Sequence, residues 1–194
     1  MTRLSVYCAS STDGYIATLD DDLSWLDAAV GEGEDYGYDE FIATVDALAM
    51  GRRTYDYVVR AIGEDTPLPW GDRAIYVFTH HPPAPRDGVT FWAPTPREAL
   101  AHWEARGHER VYVDGGQVIG QFLAVGLIDD FTLTKAPVLL GEGWPLFPSG
   151  PARAALRLDD VRAFPSGMLN LYYSRVPDDP DDPDDPGADA SVSA

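Results

Sequence analysis

Apolar and polar positions follow two periods along this chain, and the switches between them mark its elements. Leu4 to Ala9 and Ala47 to Met50 are short, nearly unbroken apolar runs. Such runs, bounded by polar punctuation, predict strands buried on both faces. Between them, Asp39 to Val45 sets Phe41, Ile42 and Val45 at helical spacing, and Arg52 to Ala61 follows the second run as a helix. A loop rich in Pro67, Pro69 and Gly71 leads to Ala74–Phe78, a buried strand, and Gly88 to Ala93 predicts another. Thr95, Pro96 and Glu98 spell a capping box that opens a helix through Arg106. Arg110 to Val113 returns to strand, and Gly115-Gly116 precedes a helix to about Ala124. Leu127 to Leu140 is long, β-branched and broken at Pro137; Ala155 to Val161 and Met168 to Val176 are extended. The last of these alternates Leu169, Leu171 and Tyr173 against Asn170, Tyr172 and Ser174.

Helices and strands alternate early and strands dominate late. That order predicts an α/β domain with a mostly parallel sheet, helices on both faces and an antiparallel hairpin at one edge. A chain of 194 residues holds one such domain, over 1–176. From Pro177 the sequence becomes a repeat of proline and paired aspartate, a composition that favours neither helix nor sheet. Residues 177–194 are therefore expected to be a disordered, solubilising acidic tail. Calcium binding there is disfavoured, because no glycine turn or closing Glu completes an EF-hand loop.

Composition narrows the partners. The formal charge is -18; residues 178–194 hold seven aspartates and no base, which leaves -11 on the remainder. So acidic a surface, with no basic stripe, argues against nucleic acid and against anionic membrane. No segment approaches the length of a membrane span or a secretory signal, and the single cysteine, Cys8, lies in an apolar run where a thiol behaves as a small hydrophobe. A cytoplasmic location is the expectation.

Three strand ends carry candidate chemistry. Ala47–Met50 runs into Gly51-Arg52-Arg53-Thr54, which puts two guanidiniums at a helix start, where free N–H groups already favour anions. Val111-Tyr112-Val113-Asp114 runs into Gly115-Gly116-Gln117-Val118-Ile119. Adjacent glycines permit close approach of a ligand to backbone, although the spacing is not that of the Rossmann dinucleotide fingerprint. Ala74–Phe78 ends in Thr79-His80-His81, groups placed to touch a ligand above the sheet. Taken singly, each has a bland reading as surface pairing, a tight turn or loop capping. No third ligand accompanies the two histidines, so no metal site is expected.

Together with Ser11-Thr12-Asp13-Gly14-Tyr15-Ile16-Ala17, Trp25-Leu26 and the stretch from Gly126 through Pro137 to Phe147, these motifs stand in an order that resembles the dihydrofolate-reductase-like family over about residues 3 to 176. Leu139 to Phe147 is more similar to the branch of that family that holds the reductase of bacterial riboflavin biosynthesis. The resemblance implies NADPH as cofactor and a small nitrogen heterocycle as substrate. It also implies a homodimer, with Trp144 and Phe147 as candidates for the interface or, equally, for the core. Carried over by position, Gly51, Arg52, Arg53 and Thr54 would hold the cofactor phosphates, with Thr79 and His80 beside the adenosine. Gly115, Gly116, Gln117, Val118 and Ile119 would meet the diphosphate, and Ala9 and Ile16 would present backbone to the nicotinamide. Folate reductases add a carboxylate on the helix before the glycine-arginine motif. Here ungapped counting from Gly51 reaches Asp35, whereas alignment on the helical phenylalanine reaches Asp39, and a solvated acidic helix start explains either. Dihydrofolate reductase, or a non-catalytic NADPH-binding regulator, are the alternatives.

Overall fold

The computed structural model of the chain describes residues 1–148 and 153–177. Apart from Pro177, the expected acidic tail lies outside the described residues. Five strands read as apolar runs form the parallel part of one sheet: β1 (Arg3–Ser11), β3 (Ala47–Gly51), β4 (Ala74–Phe78), β5 (Val89–Trp92) and β6 (Arg110–Asp114). β7 (Asp130–Ala136) also runs parallel to β1, and β10 (Leu169–Arg175) and β9 (Leu156–Ala163) add the antiparallel edge. The order is β5-β4-β3-β6-β1-β7-β10-β9. The α/β class, the mixed sheet and its hairpin edge are those read from the sequence.

Both faces of the central strands are covered, which is why Ala47 to Met50 is apolar without alternation. On one face α2 (Tyr38–Ala43) and α3 (Arg52–Ile62) enclose a cluster that includes Tyr7, Phe41, Leu48, Met50, Tyr55 and Tyr112. On the other, α4 (Pro96–Ala105) and α5 (Gly116–Leu123) bury Trp103 and Phe122, stacked at 5.6 Å, over Val6, Ala49 and Val113. Burial of each such large side chain contributes about 1.5–3 kcal/mol, the main term against chain entropy.

Three short elements had no periodic signal. They are α1 (Ser24–Asp27), β2 (Tyr15–Ala17) and β8 (Trp144–Pro145), of which the last two pair as a separate ribbon. The long extended segment expected over 127–140 begins only at Asp130 and stops before Pro137, whose missing N–H cannot continue the ladder. Among the described residues no helix is long and apolar enough to cross a membrane.

Candidate functional site

The sheet reverses its direction of growth between β3 and β6, which are neighbours although β4 and β5 come between them in sequence. From β3 the chain enters α3 on one face, and from β6 it enters α5 on the other. Crevices at the carboxyl ends of such strands are where open α/β sheets bind ligands. Here the crevice is a cavity of about 810 Å³ lined by both helix starts and by the β2–β8 ribbon.

Glycine is required where these walls meet. Gly115 has φ +84°, and a Cβ there would stand 2.7 Å from Thr54 Oγ1, so only glycine lets the two helix starts approach. A Cβ on Gly116 would stand 2.6 Å from the Pro145 carbonyl oxygen, which seats α5 against the ribbon. Unpaired N–H groups of an 11-residue and an 8-residue helix therefore converge on one space.

Two guanidiniums join them. Arg52 donates from Nε to Asp56 Oδ1 at 2.7 Å and from Nη1 to the His81 carbonyl at 2.7 Å. Arg53 lies 4.2 Å over the Trp144 ring and pairs loosely with Asp21 at 3.5 Å. Both line the cavity, as do Ile16, Gly51, Thr54, Gly115, Gly116, Gln117 and Val118. Of the remaining cofactor candidates, Ile119 is fully buried in the core. Thr79 and His80 stand at the tip of β4 outside the cavity lining, where Thr79 Oγ1 accepts from the His81 N–H. Ala9 is also outside that lining. It belongs to the stretch of β1 beyond Ser5, where pairing with β6 ends and the two strands part.

Asp114, at the carboxyl end of β6, was quoted within its motif without a role. Its Oδ1 accepts from Gly115 N at 2.8 Å; burial outweighs that bond and raises the carboxyl to about 6. Burial also raises the neighbouring Tyr112, whose hydroxyl donates to the Tyr7 carbonyl at 2.7 Å. Lys135, the one lysine of the sequence, ties β7 to β1 by donating to Ser10 Oγ at 2.9 Å, and partial burial lowers its pKa. Asp21 and Trp144 complete the rim and were not selected either, because they reach it only through the loop and ribbon that fold over the cavity.

Asp35 and Asp39 are exposed and do not line the cavity. The Asp35 carboxylate accepts from Gly37 N at 3.0 Å and Asp39 N at 3.3 Å, bonds that lower its pKa and cap the start of α2. Among the described residues no three His, Cys, Asp or Glu side chains gather as a metal site.

The family model of the RibD C-terminal domain matches residues 3–170. The chain belongs to that family. Two relatives from Bacillus subtilis, the uncharacterised proteins YwjB and YyaP, are 37% and 26% identical, over 90% and 88% of this chain and 99% and 94% of their own length. A solved structure from Shewanella sp. PV-4, provisionally assigned to riboflavin biosynthesis, superposes with a TM-score of 0.82 at 28% identity, covering 91% of this chain and 100% of that one. The Thermotoga maritima deaminase and 5-amino-6-(5-phosphoribosylamino)uracil reductase shares the fold, with a TM-score of 0.68 at 15% identity. This RibD C-terminal domain covers 57% of that longer chain, and 90% of its own residues take part. The fold is thus the dihydrofolate-reductase-like one that RibD-type reductases share.

Proposed function

We propose that this RibD C-terminal domain is an NADPH-dependent reductase of a small nitrogen heterocycle of the aminopyrimidine type. The observation that carries the reading is a pocket of a strongly anionic molecule in which Arg52 and Arg53 stand beside two converging helix starts, in a cavity of about 810 Å³. Its volume and its donors suit a dinucleotide diphosphate. The close packing that Gly115 and Gly116 permit brings both helix starts to the cavity wall.

A reduced nicotinamide, when bound, supplies the hydride. The protein supplies position and a proton. Arg52 and Arg53 would hold phosphate oxygens and the adenosine 2'-phosphate, and Ile16 closes the cavity from β2. Asp114 stands where β1 and β6 part; with its carboxyl raised to about 6, it carries a proton in a useful fraction of molecules near neutral pH. Asp114 stands outside the cavity lining, and from there its proton would be available to the heteroatom next to the carbon that receives the hydride. The position of Asp35 favours the pyrimidine branch over folate reduction, because this carboxylate is exposed, lies outside the cavity lining and accepts from the backbone N–H groups at the start of α2.

The test is a titration with NADPH and NADH, read by thermal shift. Ligand at 100 times its dissociation constant stabilises the fold by about 2.7 kcal/mol. NADPH should bind more tightly than NADH, and Arg52→Ala should cost NADPH about tenfold or more while costing NADH less. Equal affinity for both cofactors, unchanged in the variant, would sink the assignment.

A further inference from the structure

Among the described residues, the walls of the cavity carry three guanidiniums and three carboxylates: Arg52, Arg53 and Arg60 against Asp21, Asp56 and Glu64. An anion that enters therefore meets positive groups with negative neighbours, and the anchoring of each neighbour decides whether it gives way. Asp56 stands one turn along α3 from Arg52 and accepts from its Nε at 2.7 Å, so that pair is internal to one helix. The His81 carbonyl pins Arg52 a second time.

Asp21 comes from a different element. It sits in the turn over 18–22 that follows β2, and its Oδ2 stands 3.5 Å from Arg53 Nε. Three aspartates stand in a row there, and their carboxylates are used differently. Asp20 accepts from Thr18 Oγ1 at 2.5 Å, and Asp22 accepts from Ser24 Oγ at 2.5 Å and Ser24 N at 3.1 Å. Both are spent within their own loop, and Asp21 alone of the three lines the cavity. Its backbone has φ +64°, a left-handed conformation that aspartate and asparagine tolerate better than most side chains.

The Arg53 guanidinium also lies over the Trp144 ring, in the strand paired with β2, so the ribbon holds it in place without help from Asp21. At 3.5 Å the Asp21 pair is long for a charge-assisted hydrogen bond, and its side chains are 28% and 57% exposed. Such a pair adds little to stability. Its effect falls on the ligand instead. A phosphate oxygen bound to Arg53 comes within a few ångströms of the Asp21 carboxylate, and two negative charges at that range repel.

We propose that Asp21 sets the affinity of this pocket: its carboxylate competes with a ligand phosphate for Arg53, and a diphosphate binds by displacing it. This role rests on the phosphate reading of the pocket given above. The probes are inorganic pyrophosphate and NADPH, titrated by calorimetry into the full chain and its variants. Asp21→Asn removes the charge while keeping the size and the tolerance of a left-handed backbone, and should tighten both ligands by about threefold to tenfold. Asp21→Gly, relaxed at that φ, should give the same gain and decides the matter should asparagine disturb the turn. Asp20→Asn removes an equal charge one residue away and should change affinity by less than about twofold. In an Arg53→Gln background, Asp21→Asn should bring no gain, because the two residues act through one another. Unchanged affinity in both Asp21 variants, a gain matched by Asp20→Asn, or a gain that persists without Arg53 would each overturn the role of Asp21 and leave the reductase reading standing. Uptake of neither probe by the parent or any variant would overturn both.

Discussion

At the scale of the residue, the candidate site turns on side chains whose type was legible and whose state was not. Gly51-Arg52-Arg53-Thr54 and Gly115-Gly116 announce an anion site because a helix start and a guanidinium attract phosphate wherever they occur. Asp114 announces nothing by itself, since its titration depends on the apolar strands packed around it. Its folded carboxyl titrates at about 6 against an ordinary 3.8, so the folded state binds the proton more tightly than the unfolded chain. The stability this contributes is complete below about pH 4 and is lost as the pH rises through about 6. Asp114→Asn should therefore make the protein more stable than the parent at neutral pH, by on the order of 1 kcal/mol, and flatten the melting temperature against pH across that window. Under the reductase reading the same change lowers turnover. A variant that is no more stable at neutral pH would show that burial does not raise this carboxyl.

At the scale of the element, agreement was closest where a local bond defines the boundary. Thr95 and Glu98 satisfy each other's backbone N–H groups, and α4 starts at Pro96 as the capping box predicts. Thr95→Ala should lower unfolding stability by about 0.5–2 kcal/mol in urea titration, with no change in dinucleotide affinity. Buried parallel strands were legible for a similar reason, because removing both faces from water demands an unbroken apolar run. β2 and β8 were not. Three residues and two residues are too short for any period, and they pair only because Gly143, with φ +159°, brings the chain so close that a Cβ would stand 2.3 Å from the Ala17 carbonyl. The resemblance to a known family located both segments, but their joint role as a cavity wall came from the pairing.

At the scale of the whole molecule, charge sets opposite salt responses for stability and for binding. With a formal charge of -18, the folded chain repels itself, and added salt screens that repulsion. Raising sodium chloride should therefore raise the melting temperature of the free protein while, under the reductase reading, weakening NADPH, whose phosphates would be drawn by Arg52 and Arg53. Melting and titration series in the same buffers check both signs, and a cofactor affinity indifferent to salt would count against phosphate recognition by Arg52 and Arg53. Stability at acid pH adds a third response. Desolvation lowers the His102 pKa below its ordinary value, so its contribution is present above that value and fades as the pH falls. The sequence by itself determined the order of strands and helices, the mixed sheet and the glycine-arginine strand end, since hydrophobic period, capping and turn chemistry act between residues close in the chain. Tertiary structure alone decided which of those strand ends share a cavity, which carboxyl is raised and which is spent on a helix cap. Those depend on desolvation and contact between residues as much as a hundred positions apart, and no local pattern encodes them.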